Sequence, residues 1–336
     1  MVEFKSYVKL GVVGRGAFGV CYAYHRPRIG KDAPRKVIIK SIPIEGLSAE
    51  EQDKLEGEAR MLQCLKHPNI ITCYSYGTNQ AASELWIEMH FAEGGTLQKL
   101  ISEQRGEYLP ELLIKFYFAQ LAQALRYLHS KPIIHRDLKT QNILMNRKRT
   151  TVLLGDFGIS KELNNTMAMA STCIGTPNYF SPEMLKGERY GEKSDMWALG
   201  CILYEMIELK RAFDGPRMLI DITEGRMGER KNTKVSHSIN EMVQLLLNVD
   251  PDQRLSAEAV ITHPSVLRTC IDITLDLGRM DNSIERLVAE SIYSNRSKSP
   301  APAASPTPST LLASSSEYPT TRIAATLQVP TPQMRA

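Results

Sequence analysis

The stretch from Ile133 to Gly158 constrains this chain most. It reads I-I-H-R-D-L-K-T-Q-N-I-L, then a turn, then T-V-L-L-G-D-F-G. Its two apolar runs read as short buried strands, each ending in an acidic residue. The first places Asp137, Lys139 and Asn142 within six residues, and the second places Asp156 directly before Phe157 and Gly158. Neighbouring strand ends bring such groups to one point. A carboxylate to orient an attacking hydroxyl, a cation beside a moving phosphoryl group and oxygen ligands for Mg²⁺ are what phosphoryl transfer from ATP needs.

Composition narrows the setting. At 336 residues the chain has length for about two domains, and 43% hydrophobic content supports a sizeable core. A net charge of +4 without a long Lys/Arg run gives no support for a nucleic-acid or membrane-surface partner. The six cysteines (Cys21, Cys64, Cys73, Cys173, Cys201, Cys270) form no C-x-x-C pair, the pattern of free thiols in a reducing compartment. The first residues lack the apolar run of a signal peptide, and no apolar run is long enough to span a bilayer. A soluble, cytoplasmic protein is expected.

Tyr7 to Tyr24 reads as strand, glycine turn, strand. The turn, G-R-G-A-F-G, carries Gly14, Gly16 and Gly19, which let backbone approach phosphate oxygens. A dinucleotide-binding fold would open a helix after the third glycine, but the β-formers V-C-Y-A-Y follow, and a third strand, V-I-I-K, ends in Lys40. The charged residues between these strands read as an exposed hairpin loop. Ser48 to Leu65 reads as a helix opened by a Ser48/Glu51 capping box, with an apolar stripe of Leu55, Ala59, Leu62 and Leu65. Glu58 borders that stripe, and Glu56 competes with it for any role there. Further on, Glu111–Ser130 reads as a helix whose core stripe includes Leu112, Leu113, Phe116, Leu121, Ala124, Leu125 and Leu128. Lys193–Leu209 is the most apolar helix and the expected centre of its lobe. Ile239–Leu247 and Ala257–Ile261 read as helices, the last ended by His263-Pro264. Asp281 to Ile292 reads as a short amphipathic helix. From Ser294 the Ser/Pro/Ala/Thr-rich tail cannot bury enough apolar surface to fold alone; it holds four Ser/Thr-Pro steps, at Ser299, Ser305, Thr307 and Thr331.

Glycine loop, strand lysine, H-R-D-L-K-T-Q-N and D-F-G, in this order, resemble the protein kinases. The resemblance implies an α+β, bilobal fold, with a β-rich N-lobe over 7–89, a hinge over 90–93 and a helical C-lobe over 94–270. Residues 1–6 would precede that domain and 271–336 form a tail. It implies an ATP site lined by Val13, Gly14, Gly16, Gly19, Cys21, Ile38, Met89, Phe91, Ala92 and Leu144, with Lys40 on the phosphates and paired to Glu58. Cys21 stands at the usual valine position and Ile38 at the usual alanine, which narrows the adenine slot. His90 is expected to be exposed and without a catalytic role. Asp137 would orient the acceptor hydroxyl, Lys139 neutralise the transferred group, Thr176 bond near both, and Asn142 and Asp156 hold Mg²⁺. Asp195 would hold the catalytic-loop backbone, and Glu183 would pair, buried, with Arg254. Thr172 is the expected activating phosphosite, with Ser171 second, and Arg136, Lys161 and Lys54 its phosphate receptors. The activator is an upstream kinase or a second copy acting in trans. S-P-E, at Ser181–Glu183, resembles the end of an activation segment and implies protein substrates.

V-I-I-K-S-I-P, H-P-N-I-I, G-G-T-L, the T-Q-N of the catalytic loop, G-T-P-N-Y-F-S-P-E and K-S-D-M-W-A-L-G-C-I-L-Y-E together resemble the NIMA-related (Nek) Ser/Thr kinases. Among these the likeness is to the branch whose longer members carry β-propeller repeats, which are absent here. The resemblance implies work in the cell cycle, on microtubules or in cilia, with a cytoskeletal or ciliary location. Cys73 stands where several members have a tyrosine that blocks the active arrangement. The rival reading is a pseudokinase scaffold, disfavoured because every catalytic position is intact.

Overall fold

Strand-forming residues alternate with turns over the first ninety positions, and the sheet follows from them. The computed structural model describes residues 7–16, 19–27, 36–156, 177–275 and 283–291. Strands β1 (Val8–Gly16), β2 (Gly19–His25), β3 (Lys36–Pro43), β4 (Cys73–Asn79) and β5 (Glu84–His90) form one antiparallel sheet in the order β1-β2-β3-β5-β4. This register sets Cys21 beside Lys40 and Ile38 beside Met89. Gly19 is required by it: φ is 149°, and a Cβ there would lie 2.2 Å from the Ser41 carbonyl oxygen. Helix α1 (Ala49–Cys64) opens with the expected capping box: the Ser48 N–H donates to the Glu51 side chain at 2.8 Å, and the Glu51 N–H to Ser48 Oγ at 3.3 Å. It buries Leu55, Ala59 and Leu62.

The rest is helical. It comprises α2 (Leu97–Ser102), α3 (Glu111–His129), the hairpin β6 (Ile143–Met145) and β7 (Val152–Leu154), α4 (Pro182–Leu185), α5 (Glu192–Glu208), α6 (Met218–Glu224), α7 (His237–Leu246), α8 (Ala257–Thr262) and α9 (Pro264–Leu275). A last helix, α10, spans 283–291. Every residue of α5 from Ser194 to Glu208 is buried, as a helix apolar on all sides demands. The sheet layer docks on this body through the H-P-N-I-I turn. There Asn69 Nδ2 donates to Gln120 Oε1 at 2.7 Å and to the Val152 carbonyl at 2.9 Å, while Ile71 N–H donates to the Leu154 carbonyl at 2.8 Å. The bilobal α+β expectation is met.

Four expectations need correction. Ile133–Asp137 belongs to no strand: the Ile133 N–H donates to the Leu128 carbonyl, and the His135 and Arg136 amides are taken by the Asp195 side chain rather than by a neighbouring strand. Leu112 is 49% exposed; the buried stripe of α3 begins at Leu113, and Leu112 sits off it in the first turn. His263-Pro264 does end the Ala257–Thr262 helix, with His263 as its C-cap, but the helix that follows was not expected: Pro264 opens α9, where its missing N–H costs nothing. Finally, the boundary at 270 falls inside α9, and part of the expected tail packs on the domain. In α10, Ile284 is fully buried and Val288 nearly so. Ser291 Oγ donates to Gln104 Oε1 at 3.1 Å, and Glu285 pairs with Lys148 at 2.5 Å. Gln104 follows α2 and Lys148 lies in the β6–β7 turn, so α10 braces the floor beneath the hinge.

We expect Ile284→Ala in the full chain to cost ~2–5 kcal/mol of stability, the range for a truncated core aliphatic. Urea unfolding measures it, and an unchanged midpoint would show that α10 is dispensable to the domain.

Candidate functional site

The site forms where the β3 lysine, the 137–142 turn and the end of β7 meet. Lys40, held in mid-sheet, forms an ion pair with the Asp156 carboxylate. Asp137 Oδ2 accepts from Lys139 Nζ and from Asn142 Nδ2, both at 2.8 Å, and Asn142 Nδ2 also donates to the Asp137 carbonyl at 2.8 Å. The two motifs are stitched together: Gly155 N–H donates to the Asn142 carbonyl at 3.0 Å, and His135 Nε2 meets the Gly155 carbonyl at 3.1 Å. Since His135 Nδ1 accepts from the Asp137 N–H at 3.4 Å, the ring is the neutral Nε2–H tautomer. Its complete burial, which pushes its pKa down, keeps it neutral.

Asp195 fixes the loop. Buried at the start of α5, it accepts from the His135 N–H at 2.9 Å, the Arg136 N–H at 3.2 Å, His129 Nε2 at 3.0 Å and Tyr190 Oη at 2.6 Å. Burial alone would raise its pKa, but these donors and the neighbouring histidines outweigh that and hold it below the ordinary range. Arg136 (φ 67°) and Asp156 (φ 49°) both sit in left-handed backbone. For non-glycine residues this costs ~1–3 kcal/mol and persists where surroundings over-determine it, often at functional sites.

Cys21, Ile38, Met89 and Leu144 come from β2, β3, β5 and β6. A Cβ on Gly155 would sit 3.0 Å from Leu144, so the glycine lets the end of β7 close over it. Burial raises the Cys21 thiol pKa, with Lys40 opposing; Cys21 is a thiol that packs. The hinge is short and pinned. Gly94 N–H donates to the Met145 carbonyl at 2.9 Å, and Arg149 Nε donates to the Gly94 carbonyl at 3.0 Å. A Cβ on Gly94 would meet the Asn146 carbonyl oxygen at 2.0 Å. Phe91 faces the Lys36 ammonium at 6.0 Å, and Ala92 packs on the core. Val13, on β1, is 55% exposed, and Gly14 and Gly16 lie on the same strand.

Several expectations are placed differently. Among the described residues no ion pair joins Lys40 to Glu58; Asp156 takes that lysine, while Glu58 remains on α1, and Glu56 accepts from Thr78 at 2.9 Å. His90 is half-buried rather than exposed, bonded to Tyr74 Oη at 3.1 Å, with its pKa lowered by burial. Lys54 pairs with Glu50 one helical turn away, at 3.1 Å. Cys73 is buried in the core. Glu183 and Arg254 form the expected buried pair at 2.8 and 3.1 Å, with Ser194 Oγ donating to Glu183 at 2.7 Å and the guanidinium lying over Trp197 at 5.1 Å. Lys161, Thr172 and Thr176, with Phe157 to Ile159, lie outside the described residues. Sequence reasoning missed Arg149, Tyr190 and His129 as supports. They act by meeting a backbone carbonyl or a carboxylate in three dimensions, which leaves no local pattern.

The donor set fits a hard cation. Asn142 spends its amide nitrogen on Asp137, leaving its oxygen to offer, and the Asp156 side chain is 54% exposed. One carboxylate and one amide oxygen suit Mg²⁺ held jointly with phosphate oxygens. Among the described residues no cluster of three His, Cys, Asp or Glu builds a closed metal cage, and no helix is long and apolar enough to cross a membrane.

Residues 7–266 match the protein kinase domain family. The chain is 43% identical over 288 residues to serine/threonine-protein kinase nekl-2 of Caenorhabditis elegans, covering 82% of this chain and 78% of that protein. It is 38% identical over 279 residues to serine/threonine-protein kinase Nek8 of Danio rerio, with 82% and 39% covered. To serine/threonine-protein kinase Nek4 of Mus musculus it is 39% identical over 264 residues, with 78% and 32% covered. It therefore spans most of the nematode protein but well under half of the two vertebrate ones. The chain therefore belongs to the protein kinases, as a NIMA-related (Nek) serine/threonine protein kinase.

Proposed function

We propose that Asp137, Lys139, Asn142, Asp156 and Lys40 carry transfer of the ATP γ-phosphoryl group to hydroxyls of protein substrates. The observation behind this reading is the shared hydrogen bonding at Asp137 Oδ2, which puts a cation and an amide within 2.8 Å of one carboxylate. Asp137 orients the acceptor hydroxyl and takes its proton. Lys139 offsets charge on the group in transit. Asn142 and Asp156 hold Mg²⁺, which neutralises the phosphate oxygens when bound. Lys40, released from Asp156 by a competing anion, steadies the α- and β-phosphates. The apolar slot of Cys21, Ile38, Met89 and Leu144 takes the adenine, with the hinge backbone at Phe91 and Ala92 beside it. Asp137→Ala and Asp156→Ala should each abolish phosphotransfer by different routes. The Asp156 variant should also weaken Mg·ATP binding by roughly tenfold or more, as loss of a metal ligand does, while the Asp137 variant binds it almost normally. Equal losses of nucleotide affinity in calorimetry would contradict the assignment.

Phosphorylation of Thr172 is the proposed switch, with Ser171 second. Arg136, Lys54 and Lys161 are the receiving cations. Two of these are supported from the described part: the Arg136 backbone is held by Asp195 directly before Asp137, and Lys54 is on the exposed face of α1, paired at the surface with Glu50. A phosphate adds roughly −1.5 to −2 charges and one to three charge-assisted bonds, enough to exchange Lys54 from Glu50. Thr172→Ala should leave the enzyme at the activity of phosphatase-treated wild type; full activity in that variant would remove the switch.

The acceptor is proposed to be threonine in preference to serine. Ile159 follows Asp156-Phe157-Gly158; by resemblance to the kinases, a β-branched residue at that place goes with threonine acceptors, a stiff, compact chain leaving room for the threonine methyl that a longer one would crowd. A difference of one methyl in a pocket is worth about 10–200-fold at most, so a preference is expected rather than exclusion. Matched peptides differing only in Ser or Thr measure it. Wild type favouring Ser, or Ile159→Leu with an unchanged ratio, would refute it.

A further inference from the structure

Three of the motifs that mark this chain each carry a residue that no step above uses. They are Thr140 in T-Q-N, Tyr179 in G-T-P-N-Y-F-S-P-E and Glu205 in L-Y-E. The fold brings the three together. Thr140 opens the 3₁₀ turn Thr140–Asn142, Tyr179 closes the 3₁₀ turn Pro177–Tyr179, and Glu205 lies near the end of α5. All three side chains are buried. Thr140 Oγ1 lies 2.9 Å from Tyr179 Oη and 3.2 Å from Glu205 Oε1, and Tyr179 Oη donates to Glu205 Oε2. Proton counting settles the pattern. The phenol spends its only proton on the carboxylate, so the single Thr140 proton is shared between Glu205 and the phenol oxygen. Gln141 Oε1, at 3.5 Å, is at the limit of contact.

The turn 140–142 therefore has two working ends. Asn142 faces inward and holds the Asp137 carboxylate at 2.8 Å. Thr140, at the other end, is fully buried and is tied to the central helix and to the segment before S-P-E. That segment is anchored in its own right: Asn178 Nδ2 donates to the Phe213 carbonyl at 2.7 Å, and Arg211 to Asn178 Oδ1 at 3.0 Å. Lys139 immediately precedes Thr140 in the chain and donates to Asp137 Oδ2. A shift of Tyr179 or Glu205 thus moves the backbone that carries both Asp137 and Lys139.

We propose that Thr140 is a positioning residue for transfer to protein acceptors, its hydroxyl locking the Asp137–Lys139 loop in register with the peptide-docking segment. The inference rests on Asp137 and Lys139 being the catalytic pair. The hydroxyl is what matters: valine has nearly the same shape but would set a methyl against the carboxylate and leave Glu205 with one donor fewer.

The test is steady-state kinetics of the full chain on a threonine peptide, with ATP varied separately. Thr140→Val should lower kcat for the peptide about tenfold, the order set by one buried hydrogen bond, with the KM for ATP within about twofold. Thr140→Ser, which keeps the hydroxyl, should restore most of that kcat. Tyr179→Phe should behave like Thr140→Val, and the double variant should be no worse than the poorer single one, because both break one bridge. Several outcomes would overturn the proposal: wild-type peptide kinetics in Thr140→Val, a Ser variant as poor as Val, or losses that multiply in the double variant. So would a fall in kcat matched by an equal fall in ATP binding or in folded protein, which would mark a merely structural role. Asp137→Ala run alongside separates the two readings. If it stays active, the catalytic assignment fails. If it is dead while Thr140→Val is normal, only the positioning role fails.

Discussion

The structure depends on one buried carboxylate. Asp195 belongs to a helix buried from Ser194 to Glu208, where an unpaired charge would be prohibitive. It is tolerated because the segment at His135–Arg136 brings amides that no strand satisfies. Each solves the other's problem: the carboxylate gains backbone and side-chain donors, and the loop gains fixed acceptors. The left-handed turn at Arg136 follows from that exchange, and so does the direction in which Asp137 and Lys139 leave the backbone. Removing Asp195 would leave orphaned amides as well as a loose loop, so its effect would reach the chemistry without its touching any substrate.

The second constraint is how a thin sheet is held over a helical body. The H-P-N-I-I turn is joined to β7 by main-chain bonds and by Asn69, whose amide reaches both Gln120 and Val152. The hinge is pinned by the Gly94–Met145 bond and by Arg149. Both anchors end on the β6–β7 hairpin, the element that also presents Leu144 and leads into Asp156. A rocking of the sheet about this line would change the distance from Lys40 to the loop while leaving the hairpin in place. The Lys40–Asp156 pair spans the gap between sheet and hairpin. Its carboxylate partner is more than half exposed, so solvent screening makes the pair weak and easily exchanged for phosphate.

Much of this was legible in the sequence because local chemistry and final structure agree. The Ser48/Glu51 box forms as written, the central helix is buried as its composition demands, and Val152–Leu154 is a strand ending next to Asp156. The failures share a cause. Ile133-Ile134 has the pattern of a buried strand, but apolar content reports burial and not which partner takes the amides. Leu112 and Leu113 are equally apolar, and only packing decides which turns inward. His263-Pro264 carries a stop signal and a start signal in the same two residues. Helix α10 was visible as an amphipathic segment, but amphipathicity does not say which surface a helix covers. Within the site, Asp137, Lys139 and Asn142 came from spacing, whereas the partner of Lys40 is a choice among carboxylates that depends on how the lobes sit.

Exposure finally sorts the acidic groups that the sequence alone presents as equals. Asp195 and Glu183 are shut away from solvent, the first with its oxygens shared among the donors of the loop and the second bound by Arg254 and Ser194. A carboxylate so saturated has no lone pair left for a substrate or a cation, and its job is to hold backbone. Asp137 and Asp156 have side chains 21% and 54% exposed. Their partners are lysine side chains and an amide instead of backbone N–H groups, and these can be displaced. Burial therefore commits a carboxylate to architecture, and partial exposure frees it for chemistry. The fold brings both kinds to one loop: Asp195 holds the backbone of His135 and Arg136, directly before Asp137.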